Sequence, residues 1–303
     1  MQFQDKVFVV TGGANGMGRE VVLELLARGA RVAAVDLQSD PLGDVKDRVR
    51  HLGDRLTIHP LDITDRAAVE ALPAAVIAAH GQVDGLLNVA GIIQPFDRFA
   101  ELDRSVMERV MNVNFWGVIN TCQAFLPALL ERPEACIVNV SSMGALAPVP
   151  GQTIYGASKA ALKLFTEGLY AELRDTNVDV TIVFPGAVQT EITANSGVEM
   201  RRTGTSSKGT PKMLKAKDAA LQILAATEKG AYRATVGSDA TMLDRLSRLA
   251  PQRATDLIAD KMKALLAPSA EQRSESTESA VTVDPSPAEE PTQEQPHEPR
   301  HAA

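Results

Sequence analysis

The 303-residue chain is 45% hydrophobic and 23% charged with a formal net charge of −7, a length and composition that suit one large α/β domain or two smaller ones. It carries no basic stripe, which argues against nucleic acid as a partner, and no apolar run reaches the roughly 18 residues that span a bilayer. Residues 1–5 pass straight into a strand without a signal-like segment, and Cys122 and Cys136 lack a metal-ligand spacing, so a reduced, cytoplasmic setting with buried thiols and no metal is expected.

Lys6-Val-Phe-Val-Val10 is the short β-rich apolar run that a buried parallel strand requires. Thr11-Gly-Gly-Ala-Asn-Gly-Met-Gly18 follows, then a helical pattern over 19–28 with Val22, Leu25 and Leu26 on its apolar face. A Gly29-Ala30 stop leads into a strand over 31–36 that ends in an acid, eighteen residues after Gly18. A dinucleotide site needs these parts in this order. Gly12, Gly16 and Gly18, with Asn15 and Met17 in the same turn, let the backbone approach a pyrophosphate. The helix start supplies free N–H groups and positive dipole, and Asp36 accepts hydrogen bonds from ribose hydroxyls. A carboxylate at 36 followed by Leu37 rather than a cation repels a 2′-phosphate, so NAD is favoured over NADP.

Further along, 40–52 reads as a helix, 55–60 as a strand, and 66–79 as a helix capped by Thr64 or Asp65. A strand over 83–88 delivers Asn88-Val-Ala90-Gly91, and a long helix over 104–130 carries Asn114. The strand 135–141 brings Ser141 and Ser142 to its C-terminal end, where open α/β sheets bind ligands. A helix over 153–175 places Tyr155 and Lys159 at i and i+4, one turn apart on one face. A free phenol ionises near pH ~10, and a neighbouring cation favours its phenolate. Ser142, thirteen residues before Tyr155, supplies a donor for a substrate oxygen. A strand over 178–184 closes with Pro185-Gly186. Residues 191–215 show little periodicity, as a lid would. A helix over 217–229, a strand over 232–236 and amphipathic helices over 239–249 and 252–266 follow. From Pro268 onward, eight acidic and two basic side chains accompany six prolines and no aromatic residue, the composition of a disordered tail.

Taken together, the T-G-x-x-x-G-x-G loop, Asn88-x-Ala90-Gly91, Asn114, Ser142 and Tyr155-x-x-x-Lys159 resemble the short-chain dehydrogenase/reductase family over roughly residues 4–240. Val89 departs from the family's usual asparagine. The resemblance implies an α/β fold: a Rossmann-like, doubly wound parallel sheet in a single domain over 1–240, with a helical C-terminal extension over 241–267 and the disordered tail over 268–303. It implies that Asp62 and Ile63 meet the adenine, that Asn88, Ala90 and Gly91 lie close to the cofactor, and that Pro185, Gly186, Val188 and Thr190 cover the nicotinamide. Tyr155 would be the acid/base and Ser142 would hold the substrate oxygen. Lys159 would bond the nicotinamide ribose and acidify Tyr155, and Asn114 would complete a proton relay. The helices over 104–130 and 153–175 are the family's usual dimer and tetramer surfaces, so a homodimer or homotetramer is expected.

Met143, Leu146, Val149 and Ile192 form the expected substrate wall, with Pro150, Ile92, Ile93, Phe96 and Met200 around them. That lining is apolar and suits a hydrophobic secondary alcohol or ketone. Two other readings compete. A serine hydrolase centred on Ser158 would need a histidine in an ordered segment after the core elements, and His51, His59, His80, His297 and His301 do not supply one. A non-catalytic nucleotide-sensing or scaffold protein on the same fold remains the alternative, since fold alone does not fix function.

Overall fold

The computed structural model describes residues 1–198 and 213–262. Met200, most of the expected lid and the acidic tail lie outside the described residues. In chain order the first half contains β1 (Val7–Thr11), α1 (Gly16–Ala27), β2 (Arg31–Asp36), α2 (Ser39–Arg48), β3 (Leu56–Pro60), α3 (Arg66–His80) and β4 (Gly85–Asn88). The middle holds α4 (Arg104–Met111), α5 (Gly117–Leu130), β5 (Ala135–Val140), α6 (Thr153–Leu173) and β6 (Val178–Pro185). After these come β7 (Val188–Gln189), α7 (Ile192–Asn195), β8 (Leu214–Lys215), α8 (Ala216–Glu228), β9 (Arg233–Val236), α9 (Ser238–Leu249) and α10 (Pro251–Met262).

Seven parallel strands make the main sheet in the order β3-β2-β1-β4-β5-β6-β9, and β7 pairs with β8 in a separate two-stranded ribbon. The strand order reverses between β1 and β4, which opens a crevice at the carboxyl ends of these two strands. Alternation along each strand feeds two cores. Phe8 and Val10 point to the side covered by α1, α2 and α8, while Val7 and Val9 point to the side of α3, α5 and α6. Leu87 and Leu86 divide in the same way on β4, so both sheet faces are dry and the strands read as continuous apolar runs.

The 104–130 stretch is not one regular helix. Residues Asn112–Trp116 form a π-helical turn between α4 and α5. Such bulges recur at functional sites, and this one carries Asn114 inward to full burial. Gly117 follows because the helix crosses the loop after β3 closely: a Cβ there would lie 2.6 Å from the Ile63 side chain. Arg104–Leu130 is also long and apolar enough, by length and composition, to cross a membrane. Its Val118, Cys122, Phe125 and Leu129 are buried in the core with α3 and the sheet, which accounts for that hydropathy.

The predicted helix over 40–52 stops at Arg48. A 3-10 stretch over Arg50–Arg55 takes its place, broken at Gly53 with φ of 59°. Of the two candidate caps for α3, Asp65 serves, accepting from the Ala68 N–H at 3.1 Å. Helices α9 and α10 pack on the body rather than projecting from it. Arg233 on β9 ion-pairs with Asp244 on α9 and lies 4.3 Å over the Phe184 ring. The expected boundary at residue 240 falls inside α9.

Asp84 anchors the N-terminal edge of the sheet. Its buried carboxylate accepts from the Val7 N–H at 2.8 Å, Gln82 Nε2 at 2.7 Å and Arg132 Nε at 2.9 Å. Removing the acceptor strands a backbone donor and a guanidinium together. Asp84→Ala is therefore expected to lower unfolding stability by about 3 kcal/mol, read as a shift in urea midpoint at constant slope.

Candidate active site

A cleft of ≈ 570 Å³ opens at the reversal of strand order. The turn between β1 and α1 contributes Gly12, Asn15, Gly16, Met17 and Gly18 to its lining. The end of β2 adds Asp36 and Leu37, the loop after β3 adds Asp62 and Ile63, and the turn after β4 adds Ala90 and Gly91. Thr190 and Ile192 line it from the segment after β6.

The turn is built so that backbone approaches backbone. A Cβ on Gly18 would sit 2.0 Å from the Gly12 carbonyl oxygen. Gly12 has φ of +71°, and a Cβ there would meet the Ala90 main chain at 2.8 Å. Helix α1 starts without a side-chain cap and without an acid in its first turn, so its leading N–H groups face the cleft unneutralised. Asp36 is held by the Ala14 N–H on one oxygen and the Gln38 N–H on the other, both at 3.1 Å. A carboxylate offers about four acceptor positions, so two remain for hydroxyls. These features fit a dinucleotide along the cleft.

Close to Gly91, the other candidate groups come together. A Cβ on Gly91 would lie 3.0 Å from Lys159 Nζ and 3.2 Å from Asn114 Oδ1. Asn114 accepts from the Ile92 N–H at 2.9 Å and donates to the Ile92 carbonyl at 2.9 Å and to Ser158 Oγ at 3.0 Å. Ser142 Oγ accepts from the Gly144 N–H at 3.0 Å, and Gly144 brings it beside the Tyr155 ring: a Cβ there would lie 3.4 Å from Ser142 Oγ and 3.6 Å from Tyr155 Cε1. Ser141 points the other way, its hydroxyl donating to the Lys159 carbonyl at 2.8 Å. Ser158, the centre of the hydrolase reading, is fully buried and donates to the Tyr155 carbonyl at 2.7 Å, so it is a bracket and not a nucleophile.

Asn88 donates to Asn139 Oδ1 at 2.9 Å and accepts from Thr121 Oγ1 at 2.8 Å, holding β4, β5 and α5 together. Asn88, Pro185, Gly186 and Val188 are not among the residues lining the cleft, and neither are Asn114, Ser142, Tyr155 and Lys159. Gly186 faces Asp239, whose Oδ1 would be 2.1 Å from a Cβ, and Val188 packs against the core. Conversely, Gln38, Thr64, Ser105 and Arg109 line the cleft without having been singled out. Thr64 donates through both its N–H and its hydroxyl to Asp62 Oδ1 at 2.8 Å, a local turn that the Asp-x-Thr spacing signals. Ser105 and Arg109 come from α4, for which no local motif gives a position in the cleft.

A family model described as short chain dehydrogenase matches residues 6–200. The chain belongs to the short-chain dehydrogenase/reductase family. It is 35% identical over 261 residues to the Mycobacterium tuberculosis protein SadH, which is named as an oxidoreductase, covering 82% of this chain and 91% of that one. A Burkholderia phymatum short-chain dehydrogenase/reductase solved with NAD superposes with a TM-score of 0.75 at 26% identity, covering 84% of this chain and 97% of that one. A Burkholderia cenocepacia short-chain dehydrogenase solved with NADP superposes with a TM-score of 0.69 at 29% identity, covering 84% and 97%.

In this family member the expected substrate wall meets the C-terminal extension. Met143 begins a short 3-10 turn immediately after Ser142 and packs on a cluster of Ala147, Leu243, Leu246, Ala254 and Ile258. Leu146 and Val149 are half-buried nearby in sequence. Ile192 and Ile92 line the dinucleotide cleft instead, and the Ile93 N–H donates to Ser196 Oγ at 2.9 Å.

Burial sets the ionisation of the central pair. It holds the Tyr155 phenol above its ordinary value, partly offset by the hydrogen bond from Ser142. The lowering by Lys159 expected from the i, i+4 spacing is not among the influences on the phenol: the ammonium instead donates to the Val140 carbonyl at 3.0 Å. Burial brings Lys159 itself down to about 8.

A lysine depressed in the fold binds fewer protons there than in the unfolded chain between pH 8 and its ordinary 10.5. Its destabilising charge is fully present below pH 8 and is relieved as pH rises through that window. Cys122 and Cys136, pushed up to about 12 by burial, act in the opposite sense above pH 9, so the wild-type curve alone does not isolate the lysine. The expected outcome is that Lys159→Met is the more stable protein at pH 7 by roughly 2 kcal/mol, and that the gap narrows toward pH 10 in parallel urea titrations.

Proposed function

We propose that this chain transfers hydride between NAD and an apolar secondary alcohol or ketone, through Ser142, Tyr155, Lys159 and Asn114. What supports the reading is one arrangement: the Ser142–Tyr155 hydroxyl pair, and Lys159 and Asn114 converging over Gly91, at the end of a cleft suited to a dinucleotide. When bound, the nicotinamide takes hydride from the alcohol carbon or returns it to the ketone. In reduction the Tyr155 phenol gives its proton to the ketone oxygen as hydride reaches the carbon, and in oxidation the phenolate takes that proton back, while Ser142 Oγ holds the same substrate oxygen. Lys159, near 8, sits close enough to neutrality to take up and release a proton, and the Asn114 side chain lies with it beside Gly91. A water-poor pocket makes each of these polar contacts stronger than it would be in solvent.

The preference for NAD rests on the fixed Asp36 carboxylate and on Leu37, which is 70% exposed and offers no charge to a phosphate. The apolar substrate class rests on Met143, which with Leu246 and Ile258 packs against the buried cluster of Ala147, Leu243 and Ala254. The π-helical turn and the long helices α5 and α6 expose Trp116, Leu130, Leu164 and Tyr170, which suits assembly into a homodimer or homotetramer.

Titration with NADH and NADPH, followed by nicotinamide fluorescence, tests the cofactor half. NADH is expected to bind at least tenfold more tightly, and Asp36→Ala to abolish most of that difference, about 1.4 kcal/mol per tenfold. NADPH binding more tightly would move recognition to Arg109, the cation that α4 places in the cleft. In a screen of apolar alcohols with NAD, Tyr155→Phe is expected to lower kcat by about 10²-fold or more while leaving NADH affinity within a few-fold.

A further inference from the structure

The N-terminus of α6 carries Tyr155 in its first turn, and the helix has no side-chain cap of its own. Two of its leading amides are nevertheless satisfied. Gln94 Oε1 accepts from both the Ile154 N–H and the Tyr155 N–H, each at 2.9 Å. The same side chain donates from Nε2 to the Gly151 carbonyl at 3.0 Å, where Gly151 turns with φ of +79° into the helix. In return Gln152 Nε2 donates to the Gln94 carbonyl at 2.7 Å. Gln94 is fully buried, so no water competes for these bonds.

Gln94 comes from the chain that leaves β4 through Gly91, 60 and 61 residues before the two amides that it caps. Two residues earlier, Ile92 is gripped by Asn114 at both its N–H and its carbonyl. Asn114 also holds Ser158, which holds the Tyr155 carbonyl. Tyr155 is thereby fixed at both ends of its backbone: its N–H by Gln94, and its C=O by Ser158 and Asn114. Both restraints originate on the 91–94 segment, the same stretch that borders the cofactor cleft.

We infer that Gln94 is a positioning residue that sets the Tyr155 phenol against the reacting oxygen by capping α6 from outside the helix. The inference rests on the reading of Tyr155 as the acid/base. An uncapped first turn frays, and a displacement of about 1 Å in a reacting group costs about 10²-fold in rate. Gln94 touches neither substrate nor cofactor, so its loss acts on the chemical step and not on dinucleotide binding.

Two variants test it. Gln94→Met keeps the length of the side chain and removes the acceptor; Gln94→Glu keeps an acceptor for both amides, and its charge suits a helix start. For Gln94→Met, amide exchange at Ile154 and Tyr155 is expected to accelerate about tenfold or more with β5 amides unchanged. Its kcat is expected to fall about 10²-fold, with NADH Kd within about twofold of wild type. Gln94→Glu is expected to recover kcat to within about tenfold of wild type. An unchanged kcat in Gln94→Met, a loss of NADH affinity matching the loss of kcat, or a Gln94→Glu as impaired as Gln94→Met overturns the inference. Wild-type protein that binds NADH but turns over no alcohol or ketone overturns the proposed function instead. In that case exchange at the two amides still decides whether Gln94 caps the helix.

Discussion

The hydroxyl of Thr11 is a small group on which the site depends. It sits fully buried at the end of β1 and accepts from the Val89 N–H at 3.2 Å and the Ala90 N–H at 3.3 Å. A buried backbone donor without a partner costs about 1–3 kcal/mol, so this hydroxyl fixes where the chain leaves β4. That exit sets the position of Gly91, and Gly91 is where Lys159 and Asn114 meet. The register aligns Thr11 with both Val35 and Asn88, so the ends of three strands are level beneath the cleft. Beneath them Asn88, Thr121, Asn139 and Thr166 form a buried polar chain in which every link is hydrogen-bonded. Satisfied networks of this kind rigidify a floor without the penalty of an unpaired polar group.

Two electrostatic environments lie side by side. The end of the cleft at α1 offers uncapped helix N–H groups and the Asp36 carboxylate, which is hydrogen-bonded to the turn leading into that helix. At the candidate catalytic residues, burial pushes the phenol of Tyr155 up and the ammonium of Lys159 down. Burial thus carries the two values apart from their near-equal ordinary positions, because it disfavours the charged form of each group.

Much of this was legible in the sequence because the signals are local. Alternating apolar residues, the glycine spacing and the acid closing β2 each act within about thirty residues, and backbone sterics at Gly12 and Gly18 leave few other solutions. The four candidate catalytic residues were legible through the resemblance, and their convergence follows from strand order. Three things escaped a reading by segments. The π-helical turn at Asn114, hydrogen-bonded to Ile92 in the loop after β4, leaves no mark on a helical pattern. The direction of the Tyr155 shift comes from burial, which spacing on a helix does not report. Thr64, Ser105 and Arg109 reach the cleft through tertiary placement of ordinary-looking loop and helix residues. Asn88 also ties β4 to β5 and α5 through Asn139 and Thr121, partners that its local motif does not name.

The contact between Gly186 and Asp239 carries a mechanical consequence. Asp239 Oδ2 accepts from the Ala187 N–H at 2.7 Å, and its other oxygen occupies the space a side chain at 186 would fill. The Gly186 N–H is itself bonded to the Val236 carbonyl at 2.9 Å. Residues 186 and 187 are thus pinned to β9 and α9, so the C-terminal helices set where the segment carrying Thr190 and Ile192 departs from the sheet toward the cleft.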